Sequence, residues 1–288
     1  MRLCIAVALA VLAAWGQDFR RLVFQAVDGK TGAVAGGLQA EDLEVVEGET
    51  VRPLSSLRFG ASPMDIVLVL DTGPHGIEIA RAVVQGARLA CSEFDPGDRL
   101  AFITFASGVK LRFSFAARDG DLARRMERAV DAAAWSRALK VYDAVQAAVE
   151  LFPETPDLSR SRAVLLITNS LDQGSRAEPA LIRQAARSKN VALFTVSVRS
   201  WRGVYRERLP SDPAKLTAER MRPLAEATGG EARVCELSGY ILRESFERMR
   251  SRYVAAYIAT PGSALPLVLR LSPRGAVAFS NIVFRGAW

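Results

Sequence analysis

From Met64 onward, short apolar strand patterns alternate with helical patterns, and this alternation restricts the fold more than any other feature. The predicted strands are "DIVLVLD", "DRLAFITFA", "SRAVLLITN", "VALFTVSV" and "GEARVCE". The first and fourth are nearly continuous apolar runs, which are typical of parallel strands covered on both faces. The sequence therefore predicts an α/β fold with a doubly wound (Rossmann-like), mostly parallel sheet and helices on both of its faces.

Two of the intervening segments carry apolar stripes at helical spacing, and we interpret both as core faces. The first stripe is Tyr142, Val145, Val149 and Phe152, and the second is Leu242, Phe246, Met249 and Tyr253. Gly229 and Gly230 are predicted to end the helix "TAERMRPLAEAT". The segment "GVKLRFSFA" is predicted to form a hairpin with the second strand.

Both ends of the chain predict strands without helices between them. Residues 17–60 contain short alternating runs and a turn at "DGKTG", and the later runs are "YVAAYIA", "LPLVLRLS" and "AVAFSNIVFRG". We expect these terminal strands to pack together as a small β appendage beside the main sheet. The predicted organisation is residues 1–16, a signal peptide; 17–60, an N-terminal β segment; 61–252, the α/β domain; and 253–288, a C-terminal β segment.

The first residues, "MRLCIAVALAVLAAWGQ", have one Arg, an apolar run and then the small residues Ala14 and Gly16. This pattern predicts a secretory signal cleaved near Gly16, and therefore an exported protein that is periplasmic or extracellular. No later apolar run approaches the roughly 20 residues that a membrane-spanning helix needs. We therefore expect a mature protein that does not span a membrane.

The formal net charge is +7, and arginines are scattered along nearly every segment. Only "SVRSWRGVYRERLP", residues 197–210, mixes several arginines with Trp201 and Tyr205, a combination that can meet phosphates and bases. We interpret this stretch as a solvated loop after a strand and expect no nucleic-acid partner.

Signal cleavage leaves two cysteines, Cys91 and Cys235. They could pair in an oxidising compartment. Cys91, however, shares a predicted helical face with Ala80, Val84, Ala87 and Phe94. We favour a buried thiol that packs as a small apolar group, and the pairing stays open.

Polar side chains follow two of the predicted parallel strands. Asp71 comes directly after the first strand, Asn169 comes after "LLIT", and "WSRALKVYDAVQAA" leads into a helix between them. In open parallel sheets, ligands bind where loops leave the carboxyl ends of the strands. We expect these three segments to meet at that edge.

These segments resemble the von Willebrand factor type A domain, and in particular an exported bacterial branch of the acidobacterial type in which short β segments flank the domain. The resemblance runs from about Phe19 to the C-terminus and rests on "GLQAEDLEVVEGE", "MDIVLVLDTGPH", "DPGDRLAFITF", "VYDAV", "RAVLLITNSLD", "LAEATGGEA" and "RSRYVAAYIA" in this order. It implies a metal-ion-dependent adhesion site at the top of the sheet. There, Asp-x-Ser-x-Ser, a Thr and a second Asp would hold Mg²⁺ through oxygen atoms and leave a position open for an acidic group of a partner.

The chain departs from this motif at most positions. Asp71 matches, but Gly73 and His75 replace the two serines, Leu139 stands where the Thr belongs, and Asn169 replaces the second Asp. Ser136 could supply a hydroxyl only if the loop carries an insertion, and Asp172 is an acidic position that is not a usual ligand. The resemblance thus implies a degenerate site with no resident cofactor; if Mg²⁺ or Ca²⁺ binds, its ligands would be Asp71, Ser136 and Asn169. Without a metal, Asp71 would instead accept backbone N–H bonds and cap its loop.

The preferred hypothesis is an interaction module, not an enzyme, that binds a protein partner through the loops around the degenerate site. Its contact residues would be Asp71, Thr72, Gly73, His75, Ser136, Leu139, Asn169 and Ser170. Three alternatives remain: a metal-dependent adhesion module with an incomplete site, a hydrolase or metal enzyme centred on His75, and a structural subunit of an envelope assembly that docks through edge strands.

Overall fold

A computed structural model describes residues 18–286 except 61–62, 74–75, 88–89, 91–93, 118, 133–138, 156, 158, 200–211, 261–266 and 280. The predicted signal peptide and the side chains of His75, Cys91 and Ser136 lie outside the described residues. The chain divides into two units, which we call the α/β unit, Gly60–Arg252, and the β unit, which combines the N-terminal residues up to Phe59 with Tyr253–Phe284.

The described elements, in chain order, are β1 (Asp18–Asp28), a 3₁₀ turn (Ala40–Asp42), β2 (Leu43–Glu47), β3 (Thr50–Phe59), β4 (Met64–Asp71), α1 (Gly76–Gln85), β5 (Arg99–Phe105), β6 (Val109–Ala117), α2 (Leu122–Asp131), α3 (Val141–Glu150), β7 (Ser161–Thr168), α4 (Pro179–Ser188), β8 (Val191–Arg199), α5 (Pro213–Glu226), β9 (Ala232–Glu236), α6 (Ile241–Arg250), β10 (Tyr253–Ala259), β11 (Leu267–Leu271), α7 (Pro273–Ala278) and β12 (Ile282–Gly286).

The α/β unit contains a sheet with strand order β6-β5-β4-β7-β8-β9. β4, β5, β7, β8 and β9 are parallel, and β6 pairs with β5 in the antiparallel sense. Every residue of β4 and of β7 is buried, which explains their nearly continuous apolar sequence. The predicted mixed α/β class, with a largely parallel sheet, is confirmed, as is the hairpin.

The helical stripes form the core of this unit with one correction. Val145, Val149 and Phe152 of the first stripe are buried against the sheet, with Tyr142 partly buried at its flank. Leu242, Phe246 and Met249 are buried in α6, but Tyr253 does not continue that helix. It begins β10, because α6 ends at Arg250 and the chain there turns into a strand of the β unit.

The predicted end of the helix "TAERMRPLAEAT" is observed. α5 ends at Glu226, and Gly229 adopts a φ of 82° just beyond it. The Gly230 N–H donates to the Ala225 carbonyl at 3.0 Å, so a residue with left-handed geometry closes the helix.

The β unit contains a sheet with strand order β11-β2-β3-β10-β1-β12. β10 lies between β1 and β3 and is antiparallel to both, so strands from the two ends of the chain are interleaved in this sheet. Its core is formed by Leu22, Phe24, Ala26, Leu38, Leu43, Val45, Tyr253, Ala255, Tyr257, Ala259 and Leu269.

The segment "AVAFSNIVFRG" was predicted to be one strand, and this prediction is wrong. Residues 273–278 form α7, and β12 begins only at Ile282. The reason is local: Ser272 caps the helix by accepting a hydrogen bond from the Gly275 N–H at 3.1 Å, and Pro273 occupies the first turn, where its missing N–H costs nothing.

Candidate functional site

The candidate site lies at the carboxyl ends of β4 and β7, where Asp71 and Thr168 are the last residues of their strands. Leu70 and Ile167 are paired across the two strands, so Asp71 and Thr168 follow side by side. The Thr168 hydroxyl donates to Asp71 Oδ2 at 2.6 Å, and the Gly73 N–H donates to Asp71 Oδ1 at 2.8 Å. The Asp71 side chain, only 1% exposed, thus has a hydrogen bond on each carboxylate oxygen, as a buried charge requires.

Leu139 occupies the space beside Gly73. A Cβ atom built on Gly73 would lie 2.3 Å from Leu139 Cδ2 and 3.1 Å from Asp71 Oδ1. Leu139 is 5% exposed, and its carbonyl accepts a hydrogen bond from the Gln173 N–H at 2.7 Å. The next residue, Lys140, donates its N–H to the Ala106 carbonyl at 3.0 Å. The leucine is therefore held by backbone bonds on both sides while its methyl group fills the volume that a serine side chain would need.

Gly76, the first residue of α1, lets the helix approach the same carboxylate. A Cβ on Gly76 would lie 2.3 Å from Asp71 Oδ1 and 2.6 Å from the Asp71 carbonyl oxygen. Any side chain at this position would collide with the aspartate. The N-terminus of α1, whose backbone dipole favours a nearby negative charge, therefore packs directly on Asp71.

Thr72 and Ser170 turn their polar atoms inward. The Thr72 hydroxyl donates to the Phe105 carbonyl at 3.0 Å, and the Ser170 hydroxyl donates to Asn169 Oδ1 at 3.2 Å. Thr72 is 2% exposed and Ser170 6% exposed, whereas Asn169 is half-buried. Of the predicted contact residues that the structure describes, Asn169 therefore has the greatest access to solvent.

Asp172 has a role that the sequence analysis missed. Its Oδ1 accepts hydrogen bonds from the N–H groups of Val141 at 2.8 Å and Tyr142 at 3.3 Å, and from the Ser175 hydroxyl. These are the first N–H groups of α3, which otherwise have no partner inside the helix. Burial, with the negative charge of Asp172 adding to it, raises the pKa of Tyr142. Asp172 therefore fixes the loop after β7 to the start of α3.

Asp143 reinforces this connection from the opposite side. Its Oδ1 accepts hydrogen bonds from the N–H groups of Arg176 at 2.7 Å and Ala177 at 2.9 Å, and its own N–H donates to Ser175 Oγ at 3.1 Å. Two acidic residues, one on each segment, thus hold residues 172–177 against α3. The segment "VYDAV" was recognised in the sequence, but the role of its Asp143 was not, because the hydrogen-bond partners of Asp143 lie more than 30 positions away along the chain.

The described residues do not fit Mg²⁺ or Ca²⁺. A hard cation needs several free oxygen ligands, yet Gly73 offers none, Leu139 presents a methyl group, and Asn169 Oδ1 already accepts from Ser170. In the described part of the chain, no three His, Cys, Asp or Glu side chains are grouped as a metal site would require. The donor set that the family motif implies is therefore replaced here by a hydrogen-bonded carboxylate beneath a leucine.

Two other features of the sequence have a structural outcome. Cys235 on β9 is a half-buried free thiol, and burial is the main cause that raises its pKa. Arg199, the last residue of β8, donates from Nε to Asp212 Oδ2 at 2.6 Å. Most of the stretch 197–210, including its aromatic residues, lies outside the described residues.

No known protein family matches the sequence, and no curated protein matches it either. Solved structures do match in three dimensions. Proximal thread matrix protein 1 from the mussel byssus is 16% identical with a TM-score of 0.50, over 70% of this chain and 50% of that one. An aerotolerance-related membrane protein from Bacteroides fragilis is 13% identical with a TM-score of 0.48, over 65% and 98%. The VWA domain of SpRpn10 is 10% identical with a TM-score of 0.43, over 63% and 92%. The likeness to the byssus protein shows a shared fold.

Within the described residues, every helix is too short or too polar to cross a bilayer.

Proposed function

We propose that this chain is an exported protein-interaction module of the von Willebrand factor type A kind. In this proposal it binds a protein partner through the upper loops, which we define as the described residues 72–73, 139–140 and 169–178. Binding requires neither a metal ion nor a chemical reaction. The observation that carries the proposal is the Leu139 methyl group in the space beside Gly73, above a carboxylate that Thr168 and Gly73 already bond.

The chemistry of the upper loops favours binding over catalysis. A nucleophile needs an exposed, activated hydroxyl or thiol, but the Thr72 and Ser170 hydroxyls are buried and donate to neighbouring oxygen atoms. What remains accessible on the described loops is a preorganised surface around Asn169. Its backbone is fixed by Asp172 and Asp143, and a surface ordered before binding loses less entropy on association.

The metal-dependent alternative would require Leu139 to leave its position and Asp71 to exchange its present donors for a cation. Both changes remove interactions that the folded chain already makes. The proposal of metal-free binding is therefore supported by the packing of Leu139 as well as by the lack of oxygen ligands at Gly73 and Leu139.

Site-specific photocrosslinking tests the proposal. A photoreactive amino acid at position 169 reports on the upper loops. The matched control has the photoreactive amino acid at position 154, in place of the exposed Glu154, which follows α3 at the other end of the parallel strands. Each mature protein is incubated with an extract of the source organism, with and without EDTA. We expect a discrete protein adduct from position 169, none from position 154, and no effect of EDTA.

The other outcomes are equally informative. An adduct at position 169 that EDTA abolishes would establish the metal-dependent alternative. Equal adducts at both positions, or none at 169, would mean that the upper loops are not the binding surface.

A further inference from the structure

Arginine pairing is unevenly distributed over the α/β unit. On α2, Arg124, Arg125 and Arg128 each pair with an aspartate, and on α6 Arg243, Arg248 and Arg250 pair with acidic residues. Between β7 and β9 the pattern changes, except at Arg199, which pairs with Asp212 and Glu236. Among the described residues, no ion pair or hydrogen bond engages the guanidinium groups of Arg176, Arg183, Arg187, Arg220 and Arg222, all of which are exposed. The arginines of α2 and α6 have acidic neighbours, so within the described part of the chain these five form a concentration of positive charge without an ion pair.

α4 gives this charge a defined shape. The helix buries Ile182 and Ala186, half-buries Ala185 against the core, and exposes its other residues. Arg183 and Arg187 are one helical turn apart, which places them roughly 6 Å apart on the same flank. Leu181, which is 59% exposed, lies on the other side of Gln184 from the two arginines, and a shallow depression of about 410 Å³ is lined by Ala180, Leu181, Arg183, Gln184 and Arg187. We call Leu181, Arg183, Gln184 and Arg187 the α4 arginine face.

We propose that the α4 arginine face binds an acidic segment of a partner protein, with two carboxylates on Arg183 and Arg187 and an apolar side chain against Leu181. Guanidinium groups match carboxylates because their planar donors form two parallel hydrogen bonds. The exposed leucine and the depression favour a peptide over other anions, since a phosphate backbone or a lipid headgroup gains nothing from Leu181. This surface follows the upper loops directly along the chain but shares no residue with them, so its test is independent of the function proposed above.

Fluorescence anisotropy of the whole mature chain tests this surface. The probe is a fluorescein-labelled peptide of three Glu-Glu-Leu repeats, titrated at low and at physiological ionic strength. We expect saturable binding that weakens with salt. Replacing both arginines, Arg183→Gln with Arg187→Gln, should weaken it about tenfold, from the loss of two charge-assisted contacts. Leu181→Ser should weaken binding to a smaller extent and leave the salt dependence unchanged.

The matched control is Arg124→Gln with Arg128→Gln on α2, which removes the same charge at the same spacing from arginines that already have partners. Circular dichroism confirms that each variant is folded. Equal weakening in the control would reduce the effect to overall charge and overturn the proposal. So would failure of the wild-type chain to bind the peptide, or preference for a DNA duplex or phosphatidylserine vesicles over it.

Discussion

The contact between Leu139 and Gly73 should behave as a single packing unit, and a double-mutant cycle measures this. Leu139→Ala removes three buried carbon atoms from a side chain that is 5% exposed. At about 0.8 kcal/mol per buried CH₂ plus a term for the cavity, we expect a loss of about 3 kcal/mol in the free energy of unfolding. Gly73→Ala places a Cβ atom 2.3 Å from Leu139 Cδ2. Carbon atoms in contact stand roughly 3.5–4.0 Å apart, so the leucine must move, at a cost of about 1–3 kcal/mol.

The double variant removes the atom that causes the collision. Of the three atoms nearest to the new methyl group, only Asp71 Oδ1 at 3.1 Å then remains, and the methyl group partly refills the cavity. We therefore expect the double variant to be about 1–2 kcal/mol more stable than the sum of the two single effects predicts. Urea unfolding followed by far-UV circular dichroism gives the three values, with equal m-values as the condition for comparing them. Additivity within about 0.5 kcal/mol would refute the claim that Leu139 occupies the space that a side chain at position 73 would need.

Three further predictions concern the metal, the loop connection and acid stability. Titration of Mg²⁺, Mn²⁺ and Ca²⁺ into chelator-treated protein should give the same calorimetric trace for the wild type and for Asp71→Ala. Submillimolar binding by the wild type that is lost in the variant would show that these residues do hold a metal ion. Asp172→Ala should lower the free energy of unfolding by about 1–2 kcal/mol, because it removes the cap of α3. Amide hydrogen exchange at Val141 and Tyr142 should become faster. Unchanged exchange at these two amides would argue against the capping role. Burial opposes ionisation of Asp65, but hydrogen bonds from Arg99 and Arg160 outweigh it and lower its pKa. Its contribution to stability is therefore full above the unfolded pKa near 3.9 and lost as the pH falls through the lower folded value. Asp65→Asn should lower the free energy of unfolding by about 2–3 kcal/mol at neutral pH; the loss is moderate because Arg99 retains solvent contact. The variant should also lose less stability than the wild type as the pH falls below about 4. An unchanged loss at acid pH would assign the acid sensitivity to other carboxyl groups.

The sheet of the α/β unit was predictable because its order depends on a pattern that each strand carries by itself. β4 is buried at all eight positions, and no other regular element accommodates such a run so easily. Tyr253 and residues 273–278 were less predictable, because their structure depends on where a neighbouring helix ends or begins. α6 ends at Arg250, before Tyr253, and Ser272 caps the start of α7. The apolar pattern of the sequence does not show either boundary. At the site, the resemblance placed Leu139 where the von Willebrand factor type A motif has a Thr. It did not show that the leucine fills the volume at Gly73, because this contact depends on how the loop after β4 packs against the loop before α3.

The residues around Asp71 are physically connected. Gly73 makes room for the Leu139 methyl group, Gly76 lets α1 approach Asp71, and the Asp71 carboxylate takes its hydrogen bonds from the chain instead of offering them to a cation. In a metal-dependent site, the ion itself joins the loops that supply its ligands. Here Leu139 joins the loop before α3 to the loop after β7 through its bond with Gln173, and Asp172 joins the same loop to the start of α3. The upper loops are thus held together by packing and by backbone hydrogen bonds, and we expect their arrangement to be the same at any concentration of divalent ions.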